Sequence, residues 1–453
     1  MMKVINPATA KVEKTYSNDN KSDVAEKIKA AHQEQQSWRE ESFLQRAESM
    51  MRAADILEER KEAFAELMTT EMGKLYRDAI AEAEKCAWVC RYYAEHAAGF
   101  LTDEVKGSDA TRSYVSFEPL GVILAIMPWN FPFWQVFRCA APAIMAGNTV
   151  LLKHASNVPG CAMAIESIFR DAGFPKGVFQ TLLIDSDATA DVIAAPEVKA
   201  VSLTGSEAAG RAVAGLAGKH LKKAVLELGG SDPYLILGDA DLEQAAEVCA
   251  KGRLLNNGQS CIGAKRFIIV DRVYDDFVRL FKGEMEAAVM GDPMKDGVDL
   301  GPMARTDLRD DLHEQVTKSI RKGAKCILGG EIPDREGAYY PATILTEVAP
   351  GQPAYEEELF GPVASVIRVA DEPEAVRVAN DTPFGLGAAI FTRDTEAAER
   401  IARSIAAGSV FINTMVKSDP RLPFGGIKNS GYGRELSDYG IREFVNIKTI
   451  YVK

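Results

Sequence analysis

The sequence predicts an α/β fold with two α/β domains, the first built on a doubly wound parallel sheet, and a small β unit. Three observations support this prediction. Residues 21–101 carry apolar residues at helical spacing, with charged residues on the opposite faces. Strand and helix patterns then alternate from about residue 133 to 230 and again from 240 to about 410. The chain ends in a β-rich segment, EFVNIKTIYVK.

Length and composition narrow the class of protein. A chain of 453 residues is too long for one ordinary core, so we expect two or three subdomains. The net charge of −12, without a long basic run, argues against non-specific binding to nucleic acid or to an anionic membrane. The first residues contain no apolar signal segment, and no stretch approaches the roughly 18 apolar residues of a membrane span. A cytoplasmic location is therefore expected.

The elements after the helical section follow in order. TRSYVSF and GVILAIM are strand-like and joined by the turn signal EPLG, so residues 112–127 are predicted to form a hairpin. A helix over 133–146 opens the alternating section. The strands that follow are TVLLK, VFQTLLI, AVSLT and KAVLEL, with helices between them. Such repetition predicts parallel strands. The C-terminal strand is expected to join the hairpin in the third, smaller unit.

The cysteines do not form a disulfide framework. Their number is odd, seven, and their spacing is irregular. Cys86 and Cys90 stand four residues apart on a predicted helix, where a metal site would need further ligands and only His96 is near. We expect two buried structural thiols there and no bound metal.

Cys261 differs from the other cysteines in its surroundings. It lies in NNGQSCIGAKR, which is typical of a loop, and Gly258 permits a close backbone approach. A thiol on such a loop can sit in a cleft, with its own backbone N–H directed at a bound carbonyl oxygen. On this segment alone, a surface or half-buried structural cysteine remains an alternative.

Three further motifs contain residues suited to the same chemistry. Asn130, in PWNFP, can stabilise an oxyanion or simply cap a helix. Glu227, in LELGG, ends a predicted strand, where a carboxylate can act as a general base or be an ordinary surface residue. Gly205 and Gly210, in TGSEAAG, form a strand-to-helix turn that can hold a pyrophosphate, although a lone glycine-rich turn is a weak signal.

Taken together, the motifs resemble those of the aldehyde dehydrogenase superfamily along almost the whole chain. The matches, in the family's order, are VINPAT, PWNFP, LLK, TGSxxxG, LELGG, GQSC, EELFGPV and PFGGIKNSGYGRE. The resemblance implies three units. These are a dinucleotide-binding domain of residues 1–111 and 128–228, a catalytic domain of residues 229–422, and an oligomerisation β unit of residues 112–127 and 436–453.

The resemblance also implies roles for individual residues. Cys261 would be the nucleophile, Glu227 the general base and Asn130 the oxyanion donor. The implied cofactor-binding residues are Met127, Trp129, Lys153, Ser156, Gly205, Ser206, Leu228, Glu358 and Phe360. The reaction would pass through a thiohemiacetal and a thioester, which a water activated by Glu227 hydrolyses. None of the five histidines falls in a motif as an obvious base, which weakens a Ser/His or Cys/His hydrolase alternative.

Ser156 favours NADP as the cofactor. Many NAD-preferring relatives carry an acidic residue at this position, which binds the 2′-hydroxyl of NAD and repels the 2′-phosphate of NADP. A serine removes that repulsion and can donate a hydrogen bond. The resemblance therefore implies NADP as the preferred cofactor, with NAD also used.

Arg138 points to the substrate. It lies in an otherwise apolar helix, FPFWQVFRCAAPAI, and a buried guanidinium needs an anionic partner, which is either an internal carboxylate or a ligand. Succinate-semialdehyde dehydrogenases carry arginine at this position, where it binds the substrate carboxylate, and Ser418 matches a hydroxyl of the same site. The chain is most similar to the bacterial branch of that group, which implies oxidation of succinate semialdehyde to succinate.

Two departures and several alternatives stay open. Leu255 stands where some members have a second arginine, which implies weaker carboxylate binding or a broader substrate range. Gly263 stands where some carry a redox-partner cysteine, so no active-site disulfide is expected. The alternatives are a broad-specificity aliphatic or aromatic aldehyde dehydrogenase, a non-catalytic nucleotide-binding relative and a cysteine esterase.

The resemblance further implies a homodimer or homotetramer, assembled through sheet edges.

Overall fold

Two large sheets organise the computed structural model, which describes residues 1–453. One sheet has six strands and the other seven, and a two-stranded ribbon and a three-stranded sheet complete the β structure. Helices cover the large sheets, so the predicted α/β class is confirmed. No helix combines the length and apolar character needed to cross a membrane.

The first half of the chain contains eight helices and nine strands. In chain order they are β1 (Met2–Ile5), β2 (Val12–Tyr16), α1 (Lys21–Trp38), α2 (Phe43–Glu59), α3 (Lys61–Met72), α4 (Tyr76–Phe100), β3 (Glu104–Val105), β4 (Arg112–Pro119), β5 (Val122–Met127), α5 (Trp134–Met145), β6 (Thr149–His154), α6 (Pro159–Asp171), β7 (Phe179–Thr181), α7 (Ser186–Ala194), β8 (Val198–Thr204), α8 (Glu207–Lys219) and β9 (Lys223–Glu227).

The second half continues the alternation of strands and helices. Its elements are β10 (Asp232–Ile236), α9 (Leu242–Leu254), β11 (Ala264–Val270), α10 (Tyr274–Glu286), α11 (Thr306–Arg321), β12 (Lys325–Leu328), β13 (Thr343–Thr346), α12 (Pro353–Glu356), β14 (Val363–Val369), α13 (Glu372–Asn380), β15 (Gly387–Phe391), α14 (Thr395–Ala402), β16 (Ser409–Ile412), β17 (Gly431–Tyr432), α15 (Ser437–Arg442) and β18 (Val445–Val452).

The N-terminal helices form one side of the largest core cluster. Capping boxes at Asn20 and Ser42 start α1 and α2, each satisfying backbone N–H groups that have no partner inside the helix. The apolar face of α4 packs against α2 and α5. Cys86 and Cys90 are both buried on this face, as expected for structural thiols.

The six-stranded sheet has the order β17-β9-β8-β5-β6-β7. Its strands run parallel except for β17, which pairs antiparallel with β9 at the edge. Met127 lies opposite His154, and Thr204 lies opposite Glu227. The carboxyl ends of these strands therefore meet at one edge, which is where ligands bind in open parallel sheets.

The predicted hairpin over 112–127 was wrong. β5 lies between β8 and β6 in the six-stranded sheet, whereas β4 pairs with β18 and β3 in the three-stranded sheet. The reason is burial. The run VILAIM is nearly all buried and needs neighbours on both faces, while most residues of β4 stay partly exposed. The predicted partnership of the C-terminal strand with residues 112–119 is confirmed.

The seven-stranded sheet has the order β12-β13-β14-β11-β10-β15-β16 and is parallel except at β12. α9 and α10 bury one face of this sheet, and α11, α13 and α14 bury the other. The loop that carries Cys261 connects α9, which packs on one face of this sheet, to the strand β11.

Candidate active site

The loop before Cys261 has an unusual backbone. Asn256, Asn257 and Gly258 have successive φ angles of 54°, 57° and 74°, all in the left-handed region. Asparagine and glycine tolerate this region better than other residues do, which accounts for the Asn-Asn-Gly sequence. A Cβ at Gly258 would overlap the backbone of Gly361, so glycine is also required there by space.

Side-chain hydrogen bonds hold this loop in place. The Asn256 amide donates to the carbonyl of Asn130 over 2.7 Å. The Asn257 amide donates to the carbonyls of Gly73, over 3.0 Å, and Pro302, over 2.9 Å. The turn is therefore fixed to three separate segments of the chain, and Cys261 follows it on a rigid support.

Asn130 lies against the same loop and is buried. Its Nδ2 donates to the carbonyl of Gln259 over 3.0 Å, and its Oδ1 accepts from Nε2 of Gln135 over 3.2 Å. These two bonds fix the orientation of the amide, and its second N–H hydrogen remains available. The backbone N–H of Cys261 donates no hydrogen bond within the chain. Both groups can therefore donate to an oxyanion formed beside the thiol.

The Cys261 side chain is half-buried, and its surroundings disfavour the thiolate. Burial raises its pKa to about 12, while the positive charges of Arg138 and Lys265 act in the opposite direction. Nζ of Lys265 donates to the carbonyls of Cys261, over 2.8 Å, and Ser260, over 2.9 Å. A reactive thiolate thus requires a change in the electrostatics of the site when its ligands bind.

Glu227 ends β9, as predicted, and is buried without a hydrogen-bond partner on either carboxyl oxygen. Burial, and then the neighbouring carboxyl of Glu435, raise its pKa well above the usual value, against the charges of Arg138 and Arg434. Glu227 does not line the cavity that Cys261 faces. The backbone after β9 nevertheless reaches that loop, since a Cβ on Gly230 would lie 2.9 Å from the Cys261 carbonyl oxygen.

Arg138 has an internal anionic partner. It is buried on α5, forms an ion pair with Glu435 and donates from Nη2 to the Thr204 hydroxyl over 3.2 Å. Its guanidinium carbon lies 4.6 Å from the centre of the Phe424 ring. Glu435 ends the motif PFGGIKNSGYGRE, but no local sequence pattern marks it as the partner of Arg138.

A cavity of about 240 Å³ brings Cys261, Arg138 and Ser418 together. Lys85, on α4, also lines it and donates from Nζ to the Ser418 hydroxyl over 2.9 Å. Leu255 contributes an apolar wall. Lys85 was missed because its sequence pattern, a lysine on a long amphipathic helix, is the same as that of a solvated residue.

Five of the predicted cofactor-binding residues lie at the carboxyl edge of the six-stranded sheet or directly after it. They are Met127, Lys153, Gly205, Ser206 and Leu228. Ser206 is the N-cap of α8. The N-terminal N–H groups of that helix, and the positive end of its dipole, therefore lie at this edge of the sheet. Burial lowers the pKa of Lys153, the charge of Asp185 opposes that shift, and no carboxylate pairs with the lysine. Ser156 is exposed, just beyond β6.

The remaining three candidates come from two other loops. Trp129 and Phe360 meet edge to face, with ring centres 5.8 Å apart. Glu358 accepts from the N–H of Gly230 over 3.2 Å and forms an ion pair of 3.0 Å with Lys265. An aromatic pair, a carboxylate and a helix N-terminus are groups that can hold the rings, the ribose and the pyrophosphate of a dinucleotide. No cluster of residues suited to a metal ion is found.

Comparison with known proteins gives consistent matches over the full chain. Residues 1–450 match the model of the aldehyde dehydrogenase family. A probable succinate-semialdehyde dehydrogenase [NADP(+)] of Synechocystis sp. is 52% identical, with 99% of each chain covered. Succinate-semialdehyde dehydrogenase [NADP(+)] 1 of Mycobacterium tuberculosis is 49% identical, also with 99% of each covered. The crystal structure of succinic semialdehyde dehydrogenase from Streptococcus pyogenes with NADP+ superposes with a TM-score of 0.98, 40% identity and 100% coverage of both chains.

Proposed function

Because this chain belongs to the aldehyde dehydrogenase family, we propose that it oxidises succinate semialdehyde to succinate, with NADP as its preferred cofactor and NAD also used. The observation that carries the proposal is the cavity that Cys261 shares with cationic side chains and the Ser418 hydroxyl. A short aldehyde ending in a carboxylate needs a nucleophile at one end and positive charge at the other. The names of the relatives support the same substrate and cofactor.

The catalytic roles proposed are those of Cys261, Asn130 and Glu227. The Cys261 thiolate adds to the aldehyde carbon, and the Asn130 amide and the Cys261 N–H stabilise the resulting oxyanion. When bound, the nicotinamide would supply the hydride acceptor for the conversion of the thiohemiacetal on Cys261 to a thioester. Glu227 takes a proton from a water molecule, which attacks the thioester carbonyl and releases the acid and the free thiol.

The cofactor-binding roles are supported by the donor set at the sheet edge. Lys153 and Glu358 are proposed to contact the adenosine and nicotinamide riboses, and Ser156 to lie beside the 2′-phosphate. No acidic side chain stands at position 156 to repel that phosphate. The other proposed cofactor contacts are Met127, Trp129, Gly205, Ser206, Leu228 and Phe360.

The arrangement of the units and the assembly are also proposals. The six-stranded sheet would form the dinucleotide-binding domain, the seven-stranded sheet the catalytic domain, and the three-stranded sheet the contact of a homodimer or homotetramer. The exposed edge strand β18 supports that contact. A cytoplasmic location is supported by the seven free cysteines, which are typical of a reducing compartment.

The test is cofactor reduction measured with succinate semialdehyde, butanal and benzaldehyde, each with NADP and with NAD. We expect kcat/KM with NADP to be at least about tenfold higher for succinate semialdehyde than for butanal, since one charge-assisted contact contributes about 1.5–3 kcal/mol. Cys261→Ala is expected to abolish reduction of the cofactor. Equal efficiency with all three aldehydes would instead establish the broad-specificity alternative. Ester hydrolysis without any aldehyde oxidation would establish the esterase.

A further inference from the structure

We propose that Lys265 is a positioning residue for the oxyanion site. Its ammonium group fixes the peptide between Ser260 and Cys261, whose N–H would donate to the oxyanion, and connects that peptide to the carboxylate of Glu358. This assignment rests on the proposed aldehyde oxidation, in which Cys261 is the nucleophile. Lys265 does not line the substrate cavity, so it acts through these groups and not on the substrate itself.

The direction of the Lys265 side chain follows from a β-bulge. Two consecutive residues of β10, Asp232 and Pro233, pair with Ala264 and Arg266 of β11. Lys265, between the latter two, therefore has no partner on β10. Proline has no backbone N–H to donate, which permits an irregularity at this point. A bulge redirects a side chain, and here the buried lysine reaches back to the loop that precedes its own strand.

All three hydrogens of the Lys265 ammonium group have acceptors. Nζ donates to the carbonyls of Ser260, over 2.9 Å, and Cys261, over 2.8 Å, and forms an ion pair of 3.0 Å with Oε1 of Glu358. An ammonium group has three donors, and these three acceptors use all of them. The lysine is therefore held in one orientation, and it holds in turn the two peptide groups on either side of Cys261.

The Ser260 carbonyl belongs to the same peptide group as the Cys261 N–H. It also accepts from the N–H of Gly263 over 3.1 Å, so both of its lone pairs are used. The plane of the peptide is thereby fixed, and the Cys261 N–H, which has no acceptor within the chain, is held in one direction. A hydrogen bond from a cation to the carbonyl also polarises the peptide and strengthens its N–H as a donor.

Glu358 extends this arrangement to the cofactor side of the site. Its Oε1 contacts Lys265 and accepts from the N–H of Gly230, over 3.2 Å, three residues beyond the general base Glu227. A Cβ on Gly229 would overlap Oε2, so glycine at that position leaves room for this oxygen. Oε2 accepts no hydrogen bond within the chain and stays available for a ribose hydroxyl. Lys265 thus joins the oxyanion donor to the ribose-binding carboxylate.

A double variant separates positioning from charge. Burial raises the pKa of the Cys261 thiol, and among the smaller effects the charge of Lys265 lowers it while that of Glu358 raises it. Lys265→Met/Glu358→Gln removes both charges and leaves their sum unchanged. Replacing both members of a buried pair also avoids an uncompensated charge, so this variant should fold. Glu358→Gln alone is the variant for comparison, because it keeps the hydrogen bonds from Lys265 to the two carbonyls.

The decisive measurement is the first turnover of NADP reduction, by stopped flow at saturating cofactor and aldehyde. The double variant should be slower than Glu358→Gln by roughly 10- to 100-fold, against about 10²- to 10³-fold when an oxyanion donor itself is removed. Alkylation of Cys261 by iodoacetamide without cofactor forms no oxyanion, and its rate in the double variant should stay within about threefold of wild type. An equal loss in both measurements would mean that Lys265 only holds the loop, and an unchanged first turnover would overturn the proposal as well.

A labelled peptide group gives a readout that does not depend on turnover. The dipeptide Ser-Cys occurs once in the chain, at residues 260–261, so serine labelled with ¹³C at the carbonyl and ¹⁵N-cysteine mark this single peptide in NMR spectra. Loss of the hydrogen bond from Lys265 should move the carbonyl resonance to lower frequency in the double variant. Glu358→Gln should keep it near the wild-type position. An unchanged resonance in the double variant would contradict the assignment.

Lys222→Met is the matched control. Lys222 is a half-buried lysine whose Nζ also donates to two backbone carbonyls, those of Ala195 and Val198, at the opposite end of β9 from Glu227. Its replacement should change neither the first turnover nor the labelled resonance.

The aldehyde used is the one that wild type oxidises faster, so a wrong substrate proposal leaves this test intact. If wild type is active and the double variant equals Glu358→Gln, only the assignment of Lys265 fails. If wild type reduces NADP with no aldehyde, the proposed function fails and the assignment fails with it.

Discussion

At the scale of single residues, Glu227 combines deep burial with the absence of any hydrogen-bond partner. If it is the base that activates the hydrolytic water, Glu227→Gln should leave the first turnover largely intact. Stopped-flow measurement of cofactor reduction should then show a burst close to one equivalent per active site. The following steady-state rate should be lower by roughly 10²- to 10⁴-fold, the usual contribution of general base catalysis. Loss of the burst itself would mean that Glu227 acts before thioester formation.

Ser156 allows a direct test of the cofactor proposal. It is exposed beyond β6, so a longer side chain fits without disturbing the core. Ser156→Glu should reduce the preference for NADP over NAD by at least about tenfold, because its carboxylate would repel the 2′-phosphate and bind the 2′-hydroxyl. The measurement is kcat/KM for each cofactor at saturating aldehyde. Ser156→Ala serves as the control and should change the preference much less. An unchanged preference in Ser156→Glu would place the 2′-phosphate elsewhere.

At the scale of the elements, the contact between α4 and α5 supports the site. Glu82 on α4 receives the first N–H groups of α5 and pairs with Lys74, which also lies 3.8 Å from the Phe131 ring centre. Glu82→Gln would leave Lys74 buried without a counter-charge and should lower the free energy of unfolding by about 3–5 kcal/mol. Thermal and denaturant unfolding measure this change. The double variant Lys74→Met/Glu82→Gln should recover part of the loss, and no recovery would assign the effect to the α5 cap instead.

How far the site could be predicted depends on whether its residues lie in local motifs. Cys261, Asn130 and Glu227 each stand in a short motif, and the structure brings their segments together. Lys85 lies on α4, where helical spacing gives the buried face but not the element packed against it. Glu435 lies within a motif, yet its partner Arg138 is far away along the chain. Ion pairs of this kind follow from the topology of the whole chain, which local patterns do not encode.

The same limit applies to the strands. Strand-like and β-rich runs correctly predicted β4, β5 and β18. The turn signal between β4 and β5 suggested pairing of neighbours, but the chain passes there from one sheet to another. Burial of β5 between β6 and β8 stabilises the fold more than a local hairpin would. The sequence patterns of individual strands do not show which of these two pairings is more stable.

At the scale of the whole molecule, the three-stranded sheet leaves an apolar edge uncovered. β18 has only β4 as a neighbour, and Ile447 and Tyr451 on it are 62% and 47% exposed. Unpaired backbone groups beside exposed apolar side chains favour pairing with another copy of the chain. Ile447→Asp/Tyr451→Asp should therefore reduce the mass in solution to that of a smaller assembly or a monomer, measured by light scattering after size exclusion. Leu44→Asp, at an apolar residue 70% exposed on α2, is the matched control and should leave the mass unchanged. An unchanged mass in the double variant would mean that the subunits associate through another surface.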